Sequence, residues 1–279
     1  MKTYKILTAE TKDTLDLKGI IEVYEEIAAG KMQKIRVQIT TARDFFDRLE
    51  VLSSEVGADF NLIKTTNTNR EIAVLITTNT GLYGDIVDST FQLFLAYITS
   101  HPVDVFVIGK MGENLLQQMA PTIKFKAFPL PDAELDQAKF FSLLGEIFPY
   151  RKISLFYGKF KNIAVQSPVM SSISSDILPK TDADIQELKH KRMQYLYEPS
   201  LLDITDIFAK EIAVSLMEQV MHESLLAKLA SRVMYLDQST DKVLDLLDSL
   251  AIEKRQLKKK LADKKQNAVT SSLLARGLA

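Results

Sequence analysis

Apolar residues recur every seven positions along the first stretch of the chain. Ile21, Ala28, Ile35, Ala42, Leu49 and Val56 form one row, and Glu25, Met32, Ile39, Phe46 and Ser53 form its companion. Two such rows lie side by side on a helix and make a narrow seam of the coiled-coil kind, interrupted here at Glu25. Charged residues fill most of the other face, so the pattern predicts one helix over Leu15 to Val56, ended by Gly57. Taken alone, the same rows also fit an amphipathic helix lying on an ordinary core.

A second seam runs through the last quarter of the chain. Its rows are Leu229, Leu236, Val243, Leu250 and Leu257, and Val233, Thr240, Leu247, Lys254, Leu261 and Ala268. Ser200 to Arg276 contains neither glycine nor proline. Continuous helix over that span would be about 115 Å long, against about 37 Å for the diameter of a compact domain of this length. The economical arrangement is an antiparallel coiled coil of the two chain ends.

Between the seams the pattern changes. Asp59 to Arg70 is polar and reads as a linker. Glu71 to Thr77 reads as a strand, Asn79 to Gly84 as a turn-rich loop, and Asp85 as the cap of a helix running to Ser100. Asp104 to Ile108 is a second strand, followed by Gly109 and a helix from Met111 to Met119. Phe125 to Phe128 is a third strand, Ala133 to Phe148 a helix, and Lys152 to Tyr157 and Ala164 to Ser167 are the last strands. Strands alternating with helices predict a mostly parallel sheet covered on both faces. The expected organisation is a helix over 1–57, a linker over 58–70, an α/β domain over 71–180, and a linker with the long C-terminal helix over 181–279.

Composition narrows the chemistry. The 279 residues carry a net charge of −1, which gives no long-range field suited to nucleic acid. There is no cysteine, so disulfides, thiol catalysis and thiolate metal sites are excluded. The polar Met1 to Asp16 stretch does not read as a secretory signal. No apolar run approaches the length of a membrane span, which predicts a soluble chain with no direct membrane insertion.

No catalytic constellation can be assembled. The loop Thr78 to Gly84 follows a strand and opens a helix, where anions bind. It has neither a G-x-G-x-x-G pattern nor the Lys-Ser/Thr of a phosphate loop. His101, His190 and His222 lack the helical spacing of metal ligands. The serine-rich Ser167 to Ser175 shows no nucleophile elbow and reads as a loop. Lys254 to Lys265 is strongly basic: it fits a solvated helix face, a rod end set against an acidic protein surface or, less well because stacking aromatics are missing there, nucleic-acid binding.

Several separated stretches resemble the gamma subunit, or central stalk, of F-type ATP synthases. Tyr195-Leu-Tyr-Glu-Pro-Ser200 is similar to the family's Y-x-(F/Y)-E-P-S. Glu223 to Thr240 resembles E-S-x-x-S-E-x-x-A-R-M-x-A-M-D-x-A-T, with Glu223, Ser224, Arg232, Asp237 and Thr240 among the matches. Lys265 to Leu274 resembles R-Q-x-x-I-T-x-E-L, Ile27 to Lys31 resembles M-V-A-A-A-K, and Ile76 to Gly84 resembles I-T-S-D-x-G-L-C-G.

The resemblance implies an α/β fold: a long antiparallel coiled coil of the terminal helices plus a central Rossmann-like domain. It implies a non-catalytic rotor that needs no cofactor and couples ATP synthesis or hydrolysis to proton or ion transport. The implied partners are a hexameric ring of alpha- and beta-type nucleotide-binding subunits, an epsilon-type small subunit and the membrane c-type ring. The implied location is the cytoplasmic face of a membrane, held there through partners. Partner contacts would fall on Lys31, Arg232, Lys265, Gln266, Thr270 and Leu273. A gamma-like shaft of a divergent motor, or a small-molecule-binding α/β protein with coiled-coil arms, are the alternatives.

Two departures stand out. Glu22, Glu25 and Glu26 occupy a stretch that is usually basic in the family, and the span from Arg232 to Lys265 is about one heptad longer, roughly 10 Å of helix. The expectation is that these glutamates face the basic turn at Lys258 and Lys259 across the coiled coil.

Overall fold

The computed structural model describes residues 3–56, 68–132, 136–174, 201–275 and 277. Helix α1 spans Tyr4–Val56 and the C-terminal helix, α5, spans Leu201–Ala275. Between them lie β1 (Thr68–Ile76), α2 (Ile86–Ser100), β2 (Asp104–Ile108), α3 (Lys110–Met119), β3 (Phe125–Phe128), α4 (Gln137–Ile147), β4 (Tyr150–Phe160) and β5 (Gln166–Ser174). The chain separates into two compact units. One comprises residues 1–27 and 234–279, and the other residues 28–233.

The larger unit is built on a five-stranded sheet in the order β3-β2-β1-β4-β5. β1 pairs in parallel with both β2 and β4, β2 pairs in parallel with β3, and β5 closes the sheet antiparallel to β4. Side chains alternate across a strand, and the sheet uses both faces. Ile72, Val74 and Ile76 pack with Phe140, Leu143, Leu144 and Ile147 of α4 and with Met217 and Val220 of α5. Ala73 and Leu75 point the other way, to Phe91, Phe94 and Ile98 of α2 and Leu116 of α3. On β4, Phe156 meets Phe94 edge to face with ring centroids 5.3 Å apart.

In the same unit the predicted seams meet. Ala28, Ile35 and Ile39 of α1 pack against Leu226 and Leu229 of α5, with Met32 and Val233 at the margin. α5 is therefore covered by the sheet on one side and by α1 on another. Most positions from Ile212 to Ser231 are buried, polar ones included. In the smaller unit the seam rows continue through Leu7 and Thr14 of α1 and Leu236, Val243 and Leu250 of α5.

Several expectations are corrected. α1 starts at Tyr4 rather than Leu15, because Leu7 and Thr14 extend the seven-residue row. Asp85 occupies the position before α2, but its side chain makes no capping hydrogen bond. Asp136, not Ala133, marks the start of α4: its carboxylate accepts from the Ala138 and Lys139 amides. The serine-rich stretch expected as a loop is strand β5, paired along its length from Gln166 opposite Phe160 to Ser174 opposite Lys152. The expected Ala164 to Ser167 strand begins instead at Gln166, after a turn in which the Lys161 and Asn162 amides donate to the Val165 carbonyl.

The pairing of Glu25 and Glu26 with Lys258 and Lys259 does not occur. Lys254 Nζ lies 5.3 Å from the Tyr4 ring centre. Glu25 is about 31 Å along α1 from Tyr4, whereas Lys258 is about 6 Å along α5 from Lys254, so the two charge groups are out of register. Glu22 pairs instead with Lys18 on its own helix, at 3.1 Å. The linker over 59–67, Gly57, His190 and the Tyr195 to Ser200 motif lie outside the described residues.

Candidate functional site: the loop after β1 and the helix that fills it

The crevice beyond the carboxyl ends of parallel strands is where α/β folds bind ligands. Here the chain fills that crevice itself. Thr77 follows β1, and its hydroxyl donates to the Ile108 carbonyl (2.8 Å) and accepts from the Gly112 amide (3.0 Å). The Met111 amide donates to the Thr78 carbonyl, and the Lys110 amide donates to Asn79 Oδ1. The first amides of α3, which would otherwise cradle an anion, are thus satisfied by the loop. Gly109 and Gly112 permit this approach. A Cβ on Gly109, at φ +100°, would lie 2.8 Å from Thr77 backbone, and one on Gly112 would lie 2.7 Å from Thr77 Oγ1.

A second potential anion position is also occupied internally. The Asp132 carboxylate accepts from the Asn79 amide (2.8 and 2.9 Å) and the Thr80 amide (3.2 Å). Beside it, Lys228 of α5 is buried and donates to the Thr77 carbonyl at 2.9 Å. Burial depresses the Lys228 pKa to about 8, against which the Asp132 charge acts to raise it. The space left among Lys228, Asp132, His222 and Leu130 is about 30 Å³. That is room for about two waters, far below the several hundred Å³ of a small-molecule pocket.

α5 holds the rest of the loop as well. Ser231 Oγ donates to the Tyr83 carbonyl at 2.7 Å, and the Arg232 guanidinium carbon sits 5.0 Å from the Tyr83 ring centre, with Nη1 3.4 Å from the phenolic oxygen. About two and a half turns before Arg232, Glu223 is buried, 3.6 Å from Arg43 of α1. The Tyr157 hydroxyl on β4 is pushed well above its ordinary pKa, first by burial and then by the charge of Glu223 and a hydrogen bond to it. At the opposite end of the strands, Arg70 pairs with Asp104 and Lys126 with Glu146, at 2.6 and 2.7 Å.

A family model described as ATP synthase matches residues 3–273. The chain belongs to the ATP synthase family. Similar proteins include the ATP synthase gamma chain of Buchnera aphidicola subsp. Baizongia pistaciae (strain Bp), 22% identical over 282 residues that cover 96% of this chain and 94% of the relative. The ATP synthase gamma chain of Laribacter hongkongensis (strain HLHK9) is 24% identical over 272 residues, covering 90% of this chain and 92% of the relative. Among solved structures, the fold matches a chain of the central stalk and c-ring of the Tetrahymena thermophila mitochondrial ATP synthase. The TM-score is 0.58 at 18% identity, over 79% of this chain and 99% of that one. A chain of the Euglena gracilis mitochondrial ATP synthase matches with TM-score 0.54 at 12% identity, over 92% of this chain and 95% of that one.

In this ATP synthase family member, the residues expected to contact partners lie on the two long helices. Lys31 is exposed on α1, while Arg232 is half-buried against Tyr83. Lys265, Gln266, Thr270 and Leu273 are exposed on the last turns of α5, where Thr270 Oγ1 donates to the Gln266 carbonyl. Leu261 and Leu273 of the same turns are 52% and 45% exposed. Sequence reading missed Lys228, Ser231, Tyr83 and Asp132. The one available signal was a lysine, a serine and an arginine at i, i+3 and i+4 inside an otherwise buried helix. Among the described residues no helix is long and apolar enough to cross a membrane, and no acid and histidine group is placed to hold a metal.

Proposed function

We infer that this chain is the central-stalk rotor subunit of an F-type ATP synthase, a shaft that carries torque and performs no chemistry itself. The observation that carries this is the self-filled crevice. Asp132 and Asn79 accept from loop and helix amides that could otherwise bind an anion, and Lys228 donates to the Thr77 carbonyl. The filled crevice favours this reading over a small-molecule site at the Thr78 to Gly84 loop.

The last turns of α5 supply the complementary half. Leu261, Val269, Leu273 and Leu274 are exposed on the last turns of α5, which suits a rod end seated in other subunits. Its partners on this reading are a hexameric ring of alpha- and beta-type subunits around the shaft, an epsilon-type small subunit and the membrane c-type ring. Lys265, Gln266, Thr270 and Leu273 contact the ring, as do Lys31 and Arg232 nearer the α/β domain. The chain is peripheral on the cytoplasmic face of its membrane, held there through those partners.

Co-expression with the ring subunits tests the assignment. The isolated chain turns over no ATP and co-purifies with the nucleotide-binding subunits. ATP turnover by the chain alone, or failure to associate with the ring, contradicts it.

A further inference from the structure

Apolar contact fixes α5 against the sheet only in part. Met217 and Val220 belong to the sheet's core, but the hydrophobic driving force that holds them there is non-directional. Directional contacts include the Tyr157 hydrogen bond to Glu223 and gather at Lys228. Lys228, Ser231 and Arg232 stand at i, i+3 and i+4, on one face of the helix. Their targets are the two ends of a single loop: the Thr77 carbonyl, the Tyr83 carbonyl and the Tyr83 ring.

That loop is itself pinned. Asp132 holds its middle through the Asn79 and Thr80 amides, Thr77 ties it to the end of β2, and Thr78 and Asn79 tie it to the start of α3. Gly109 and Gly112 leave it no slack. We propose that the Thr77–Gly84 loop and the Lys228, Ser231 and Arg232 face of α5 form a torque clasp, which stops the α/β domain slipping on the C-terminal helix under load. This rests on the rotor reading above.

The choice of side chain supports the clasp. A buried ammonium is costly, and an apolar side chain of similar length removes that cost, offset in part by leaving the Thr77 carbonyl without its donor. What lysine adds is direction: one bond, to one carbonyl, at one register of the helix. Stability and torque transmission therefore make opposite demands at this position.

The test uses Lys228→Met in the assembled, membrane-bound complex. Three quantities are read: the Tm of the isolated chain, the ATPase rate, and ATP-driven ion transport against an imposed gradient. The clasp predicts a Tm equal to or above the parent's and an ATPase rate close to the parent's. The transport-to-ATPase ratio falls about fivefold, the order expected when one directional hydrogen bond no longer opposes slip.

A staple supplies the second arm. A Cβ on Gly158 of β4 would lie 3.5 Å from Ala227 Cβ, within disulfide reach, and 2.7 Å from Ile86 Cγ1. Gly158→Cys with Ala227→Cys and Ile86→Ala therefore joins sheet to helix in a chain that has no other cysteine. In the Lys228→Met background, oxidation restores the ratio and reduction removes it again. A Lys228→Met complex that transports at the parent ratio overturns the clasp, as does a staple that restores nothing. A fall in Tm alongside the ratio makes Lys228 a stability residue and also overturns it. If the parent complex itself shows no ATP-driven transport, the rotor reading fails instead.

Discussion

Raising the pH should stabilise the unit that contains Lys228, which is the reverse of the usual alkaline trend. In the fold, the Lys228 pKa is lowered from 10.5 to about 8 by burial. Between those values the unfolded chain binds more protons than the folded one, so stability rises with pH across that window. At about 1.4 kcal/mol per pH unit, the charged ammonium costs the fold about 3 kcal/mol at neutral pH. About 2 kcal/mol of that is recovered between pH 7 and 9.5.

Tyr157 does not oppose this effect. Its pKa is raised above 10, so its contribution is intact below pH 10 and is lost only as pH rises through its folded-state value. The assay is urea unfolding of the full chain followed by circular dichroism at pH 7, 8.25 and 9.5, in parallel with Lys228→Met. The methionine chain leads at pH 7 and loses that lead as pH rises, because only the lysine chain gains. Equal pH slopes for the two chains would refute the buried-ammonium account.

Other substitutions separate packing from partner contact. Gly109→Ala forces a side chain into Thr77 backbone at a positive φ and should cost about 3 kcal/mol, read as a lowered urea midpoint. Phe94→Ala empties a fully buried position against Phe156 and should cost about 4 kcal/mol by the same measurement. Asp132→Ala strips the Asn79 and Thr80 amides of their acceptor and Lys228 of its nearby carboxylate, at about 2 kcal/mol. Leu261→Ser, on an exposed turn, should change the isolated chain by less than about 0.5 kcal/mol while weakening retention in the ring on size-exclusion chromatography.

The regular parts of this fold were legible from spacing. Both helical seams, the first four strands and the α/β alternation follow from local pattern, because burial against a flat neighbour imposes a period on the chain itself. Errors arose where the pattern was diluted. Thr8, Thr11 and Thr14 back-bond to carbonyls one turn earlier within α1, in a stretch too polar to show the apolar seam. Serines at Ser171, Ser172 and Ser174 hid β5, an end strand held by its backbone ladder to β4, with Ile173 supplying its core contact.

The candidate site was mostly illegible. Thr77 and Lys228 are 151 positions apart, and nothing near either residue announces the other. The expected match of glutamates to lysines across the coil failed for a related reason: charge content was readable, but register is set by the apolar seam. Tyr4 meets Lys254, which leaves Glu25 far from the basic turns.

The central claim is that α5 turns inside a ring of catalytic subunits. Gln266 is exposed on its last turns, and the chain has no native cysteine, so Gln266→Cys gives one addressable thiol. Cross-linking that thiol to a cysteine on a catalytic subunit should abolish ATP turnover by the complex, and reduction should restore it. Undiminished turnover with the cross-link in place would contradict the shaft account.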